Sequence, residues 1–163
     1  MPKVPIRYVP TTLSEADKIK QAKMLKKSRQ MYKNKKYYSR KPLSSYKNKT
    51  SKHIRNARKI YGVEHIVPSP ELAKKTGCSV DALNQIVSKG EGAYFSSGSR
   101  PNQTAQSWGL ARLASALTSG KSAAVDYNIL EKGCTHNKRA FILAKRAKDK
   151  YGFGHSKTRK VVV

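Results

Sequence analysis

Charge is distributed along this chain in three blocks, and that distribution limits what it can fold into. Residues 1–60 hold 19 Lys and Arg against two acids, Glu15 and Asp17, a net of +17. Residues 61–131 hold six of each and are neutral. Residues 132–163 hold ten Lys and Arg against one acid, Asp149, a net of +9. A neutral centre between two basic ends reads as a domain with arms. The whole chain, 163 residues at +26, has room for one modest domain and repels itself unless something anionic offsets the charge. Nucleic acid, an anionic membrane surface and an acidic protein shell are the partners such a charge admits.

Other classes are set aside by what the sequence lacks. No apolar run approaches the roughly 18 residues of a membrane span, and residues 1–10 do not resemble a secretory signal. Two cysteines, Cys78 and Cys134, are too few for a disulfide framework. They read as small buried hydrophobes in a thiol-reducing setting. The four histidines are scattered, and no nucleophile has an obvious base. Cys134 and His136, with Cys78 and His155, make the one conceivable zinc set, but nothing fixes their distances. No enzymatic activity, cofactor, metal or small-molecule substrate is expected.

The N-terminal block, 1–60, is expected to be a basic arm carrying one amphipathic helix at about 15–31. Ser14 with Asp17 three residues on resembles an N-cap and N3 pair. Ile19, Ala22, Met24, Leu25 and Met31 form a narrow apolar stripe. Lys18, Lys20, Lys23, Lys26, Lys27, Arg29, Lys33, Lys35, Lys36 and Arg40 are candidate phosphate- or partner-binding residues. Tyr37 and Tyr38 stand among them, flanked by Tyr32 and Tyr46. Aromatics so interleaved can stack on bases or fill pockets in neighbouring subunits. From Asn34 to Lys52 no periodicity is visible, and Lys41-Pro42 breaks any helix, so an extended linker is expected.

The centre, 61–131, reads as a helical core. A short helix over 53–61 closes at Gly62. Ser69-Pro70-Glu71 starts a helix that ends at Gly77, and Ser79 caps another that ends at Lys89-Gly90. The two resemble a helix-turn-helix pair. The second helix offers Asp81, Asn84, Gln85 and Ser88 with only Lys89 positive, which suits a structural pair better than a groove reader. Residues 90–104 read as a loop in which Arg100 is a candidate phosphate contact, without P-loop spacing. Thr104 caps a core helix over 105–118. Trp108, Leu113, Leu117, Tyr94 and Phe95 are the expected core anchors. A further helical stretch covers 124–130.

The C-terminal block, 132–163, is expected to hold a basic helix over 137–150. Lys138, Arg139, Lys145 and Arg146 lie on its solvent face and Ala140, Phe141, Ile142 and Ala144 on the other. A tail ends in Val161-Val162-Val163, able to add a strand to a neighbour. The fold class is therefore mainly α: a small helical domain with a helix-turn-helix-like pair, flanked by extended basic arms.

Three runs carry a resemblance: KGEGAYFSSGSRPNQT at 89–104, SWGLARLASA at 107–116 and VDYNILEKGC at 125–134. Over residues 72–134 the chain resembles an uncharacterised domain family of large icosahedral double-stranded DNA viruses, of the algal-virus type, and of tailed phages. The resemblance implies a viral origin and no assigned activity. Joined to the basic ends, it implies a late, minor capsid or cement protein. Such a protein is made in the host cytoplasm and held in the virion, on the inner face of the capsid. Its arms tie major and minor capsid proteins, with genomic DNA and an inner membrane surface as further partners. The alternative is a nucleic-acid-binding protein that condenses or packages a genome.

Overall fold

Helix boundaries follow from capping side chains. The Ser14 hydroxyl accepts the Asp17 N–H and starts α1, Glu15–Lys33. Ser51 does the same for α2, Lys52–Tyr61, which closes on Gly62. Ser69 caps α3, Pro70–Thr76, with proline in its first turn, where a missing N–H costs nothing. The Ser79 hydroxyl accepts the Ala82 N–H at the head of α4, Val80–Ser96. Thr104 and Ser107 exchange backbone-to-side-chain bonds of 3.0 and 2.9 Å at the head of α5, Ala105–Ala116. Then follow α6, Lys121–Val125, α7, Tyr127–Gly133, and α8, Arg139–Tyr151. Strands β1, Lys3–Pro5, and β2, Lys160–Val162, pair antiparallel with Val4 opposite Val161. This computed structural model describes residues 3–152 and 159–163. The described chain is mainly helical, as its patterning predicts, and α3 and α4 follow one another through Gly77-Cys78-Ser79, where two helices were expected.

The chain divides into two compact units. The first comprises residues 3–49, 91–108 and 159–163 of the described chain. Its apolar centre is small: Val4, Tyr8, Leu25 and Val163, with Trp108 and Ala22 packed against them. Polar side chains do the rest. Gln21 Nε2 donates to the Tyr8 carbonyl at 3.0 Å, and the Ser28 hydroxyl donates to the Phe95 carbonyl at 3.2 Å. Asp17 accepts both the hydroxyl and the N–H of Ser45. Those bonds favour the ionised carboxylate and hold Asp17 below the usual carboxylate range. Asn102 accepts the Leu43 N–H and donates to the Leu43 and Tyr46 carbonyls, fixing a stretch without regular structure.

The second unit comprises 50–90 and 109–152. Its core is larger and includes Tyr61, Leu72, Leu83, Ile86, Leu113, Leu117, Leu130 and Phe141. Tyr61 donates its hydroxyl to the Leu117 carbonyl, and burial pushes that phenol well above its ordinary range. Arg112 holds the buried Asp126 through two bonds of 2.8 Å, and Lys89 stands 3.7 Å from the same carboxylate.

Several expectations are corrected. Residues 1–60 are not an extended arm. The stretch after α1 lacks helix and strand, as expected, yet Arg40 and Leu43 are buried. The reason is polar: Asp17, Asn102 and Tyr94 satisfy its backbone, a signal that has no periodicity. The charge boundaries at Tyr61 and Glu131 do not coincide with those of the two units. The inner face of α1 is Asp17, Gln21, Leu25 and Ser28, and Ile19 is 58% exposed. Ile142 also faces solvent, and Leu143 and Ala147 join the inner face of α8 in its place. α4 does not end at Gly90 but runs to Ser96, so only the later part of 90–104 is loop. α5 ends at Ala116 rather than 118, and 124–130 is two short helices. Val161 and Val162 lie in β2, which pairs with β1 of the same chain.

Cys78 and Cys134 are buried, as expected, but joined in a disulfide rather than reduced. Ser79 N–H donates to the Gly133 carbonyl and Thr135 N–H to the Gly77 carbonyl, both at 2.8 Å. This short antiparallel bridge sets the two cysteines opposite one another. Neither sulfur is then a thiolate available to zinc. His155 lies outside the described residues.

Candidate nucleic-acid interface

Because α1 turns Asp17, Gln21, Leu25 and Ser28 inward, its lysines must point out. Lys20, Lys23, Lys26, Lys27 and Lys33 are all exposed. Lys18 pairs with Glu15 at 3.0 Å. Arg29 is half-buried, its guanidinium reaching the Lys3 carbonyl at 3.4 Å. No carboxylate occurs from Lys18 to Val63, so nothing along this stretch of chain neutralises the row.

α1 ends in a tight reversal. The Lys35 N–H donates to the Tyr32 carbonyl and the Lys36 N–H to the Met31 carbonyl, a Schellman arrangement. Its left-handed position, normally glycine, is Lys35 at φ +59°. The reversal returns the chain beside α1 and gathers aromatic rings at tilted and edge-on angles. Tyr37 lies 6.2 Å from Tyr32 and 5.1 Å from Phe95, and Phe95 lies 5.0 Å from Tyr94. Tyr37 is 68% exposed and Tyr32 38%. Tyr38 is half-buried, with the Lys27 ammonium 4.4 Å from its ring centroid. Lys33, Lys35 and Lys36 are exposed around the two outer rings.

Beneath this turn sits Arg40, which does not present its charge to solvent. Its guanidinium lies 3.8 Å from the Tyr94 ring centroid. It donates at 2.8 Å to the Ser28 hydroxyl, the Tyr94 carbonyl and the Ser99 hydroxyl. Its backbone N–H donates to the Tyr94 hydroxyl. Burial lowers the proton affinity of this guanidinium. Arg40 therefore leaves the set of candidate phosphate contacts and becomes the post that holds 38–41 against α4.

A family model described as a family of unknown function, DUF5824, matches residues 5–135. The chain belongs to this family. In this DUF5824 protein the match takes in the basic N-terminal segment, which the motif resemblance over 72–134 left out. No curated protein and no solved structure matches the chain. Function therefore has to be argued from its residues.

The remaining candidates fall elsewhere in the DUF5824 chain. Arg100 is exposed in the first unit. Lys138, Arg139, Lys145 and Arg146 are exposed on or beside α8 in the second unit and form a separate basic face. The stem of Lys138 also lies where a side chain at Gly77 would go. Leu113, Leu117 and Tyr94 are fully buried, whereas Phe95 and Trp108 are half-buried, Trp108 edge-on to Tyr8. On α4, Asp81, Asn84, Gln85 and Ser88 face outward, while Lys89 is directed at Asp126. Lys89 is the one cation that helix carries. A cleft of about 290 Å³ between α4 and α7 is lined by Ser79, Asp81, Gln85, Asn128 and Lys132. Among the described residues, no three His, Cys, Asp or Glu converge as a metal site, and no helix is long and apolar enough to cross a membrane. The contact of Tyr37 with Phe95 was not legible in the sequence, because it depends on α4 continuing past Gly90.

Proposed function

We propose that this protein is a non-enzymatic nucleic-acid-binding protein whose outward face of α1 follows a phosphate backbone. The observation that carries this reading is the exposed lysine row, Lys20, Lys23, Lys26, Lys27 and Lys33, on a helix anchored by its opposite face. A charged row on a fixed helix is a preformed electrostatic footprint, where a loose arm must be ordered on binding. Affinity gained from phosphate neutralisation falls linearly in log–log terms with salt. Replacing Lys20, Lys23 and Lys27 together by Gln removes up to three such contacts. The expected result is weaker binding to DNA of any sequence and a salt slope smaller by about 1 per lysine removed. Unchanged affinity and slope at about 150 mM salt would overturn the reading.

A second reading makes the protein a virion structural element that docks on acidic capsid surfaces. It is favoured by the presence of a basic face in each unit, on α1 and on α8, which suits a tie between two anionic surfaces. Crosslinks from α1 and α8 lysines to capsid protein in purified particles support it. Crosslinks to nucleic acid alone count against it.

A further inference from the structure

We infer that Tyr37, backed by Phe95 and flanked by Tyr32, is a stacking platform for an unpaired base, so that the strand bound along α1 is single-stranded. The inference rests on the nucleic-acid reading above and narrows it to one class of ligand. Three observations lead to it. Among the described residues Tyr37 is the most exposed of the large hydrophobic side chains, at 68%, although its ring has two aromatic neighbours. Both neighbours meet it at a tilt, and most of the side chain stays open to solvent. A large aromatic surface left open in this way is available to stack on another flat apolar surface.

Phe95 is itself held in place. The Ser28 hydroxyl bonds the Phe95 carbonyl, and Tyr94 beside it is fully buried under Arg40. The backbone that carries the Phe95 ring is thus fixed before a ligand arrives. Lys33, Lys35 and Lys36, near Tyr32 and Tyr37 in sequence, are exposed and offer cations to a strand's phosphates. Lys35 occupies a left-handed position at which glycine would be more comfortable. A residue held in such a conformation is a feature that clusters at ligand sites.

The chemistry selects single strands. Within a duplex each base already stacks on its neighbours and its face is closed to a protein ring. An unpaired base has a free face, and aromatic stacking on it is tolerant of sequence. Phosphate contacts by α1 lysines are available to either form, so duplex binding depends on charge alone.

The test uses the full chain with a labelled oligo-dT and a random-sequence duplex, each roughly 20 units long, enough to span such a site. Wild type, Tyr37→Ala and Tyr37→Phe are compared at one salt concentration. Tyr37→Ala is expected to weaken oligo-dT binding about ten-fold while leaving duplex affinity unchanged, and Tyr37→Phe is expected to retain both. Thermal melts of the variants check that the exposed position has not altered folding. If Tyr37→Ala weakens both ligands equally, or neither, the platform is overturned and the phosphate reading survives. If wild type binds neither ligand, both readings fall.

Discussion

Arg40 carries a full positive charge among two hydroxyls, a carbonyl and the face of Tyr94, and among the described residues no carboxylate pairs with it. Burying a cation this way is costly unless its shape is used. A planar guanidinium can lie flat on a ring and donate in a fork at the same time, and it is weakly hydrated. An ammonium has neither geometry and loses more hydration on burial. Arg40→Lys, the change that keeps charge, is therefore expected to be worse than Arg40→Met, the change that removes it. The Ser28 and Ser99 hydroxyls keep the Phe95 and Arg100 carbonyls as partners in either variant. The expected gap is on the order of 1 kcal/mol or more in favour of Met, read from urea unfolding followed by near-ultraviolet circular dichroism. The opposite order would mean that this unit needs the charge itself. Nothing in a Lys- and Arg-rich stretch marks which arginine turns inward. The sequence reading accordingly grouped Arg40 with the solvent-facing cations.

At the scale of elements, capping residues made most helices legible. Ser14, Ser69, Ser79 and Thr104 mark starts, and Gly62 and Gly77 mark ends. Gly90 could not be read in the same way. A glycine that ends a helix and one that lets a neighbour approach look alike in a sequence. Gly90 is of the second kind: a Cβ there would come within 2.6 Å of the Gly109 Cα and 3.3 Å of the Arg112 Cβ. Helix propensity alone predicts that Gly90→Ala stabilises α4 by up to about 1 kcal/mol. The close approach of α5 predicts the reverse, a loss of about 1–3 kcal/mol, because backbone cannot move aside as a flexible side chain can. Gly92 serves as the internal control, since nothing lies within 4 Å of a Cβ at that position. Thermal melts should show Gly90→Ala below wild type and Gly92→Ala at or above it. If both rise, the two helices do not meet as described, and the extension of α4 that backs Tyr37 with Phe95 comes into question with them.

For the whole molecule, the order of segments matters more than their count. Each unit is assembled from separated stretches, and the chain passes between units within α4 and again within α5. Charge blocks follow the sequence and units follow contacts, so the first could not reveal the second. Deleting the basic N-terminus would remove most of one unit, and point variants are the sound way to test the α1 face. The cystine is the one covalent tie across this order. Cys78 and Cys134 are 56 residues apart, and the loop they close runs through part of the first unit before returning to the second. Constraining a loop of that length in the unfolded chain contributes about 4 kcal/mol in the chain-entropy model. Reduction, or Cys134→Ser, is therefore expected to lower the melting temperature by roughly 10 °C for a chain of this size. Cys78→Ser should match it, and reductant should have no further effect on either variant. The Ser79–Gly133 and Thr135–Gly77 backbone bonds remain to align the two segments, so the reduced protein is expected to keep its helical content before the melt. Identical melts with and without reductant would show instead that the thiols are unjoined in the purified protein, and that backbone pairing alone holds the α3–α4 turn to the end of α7.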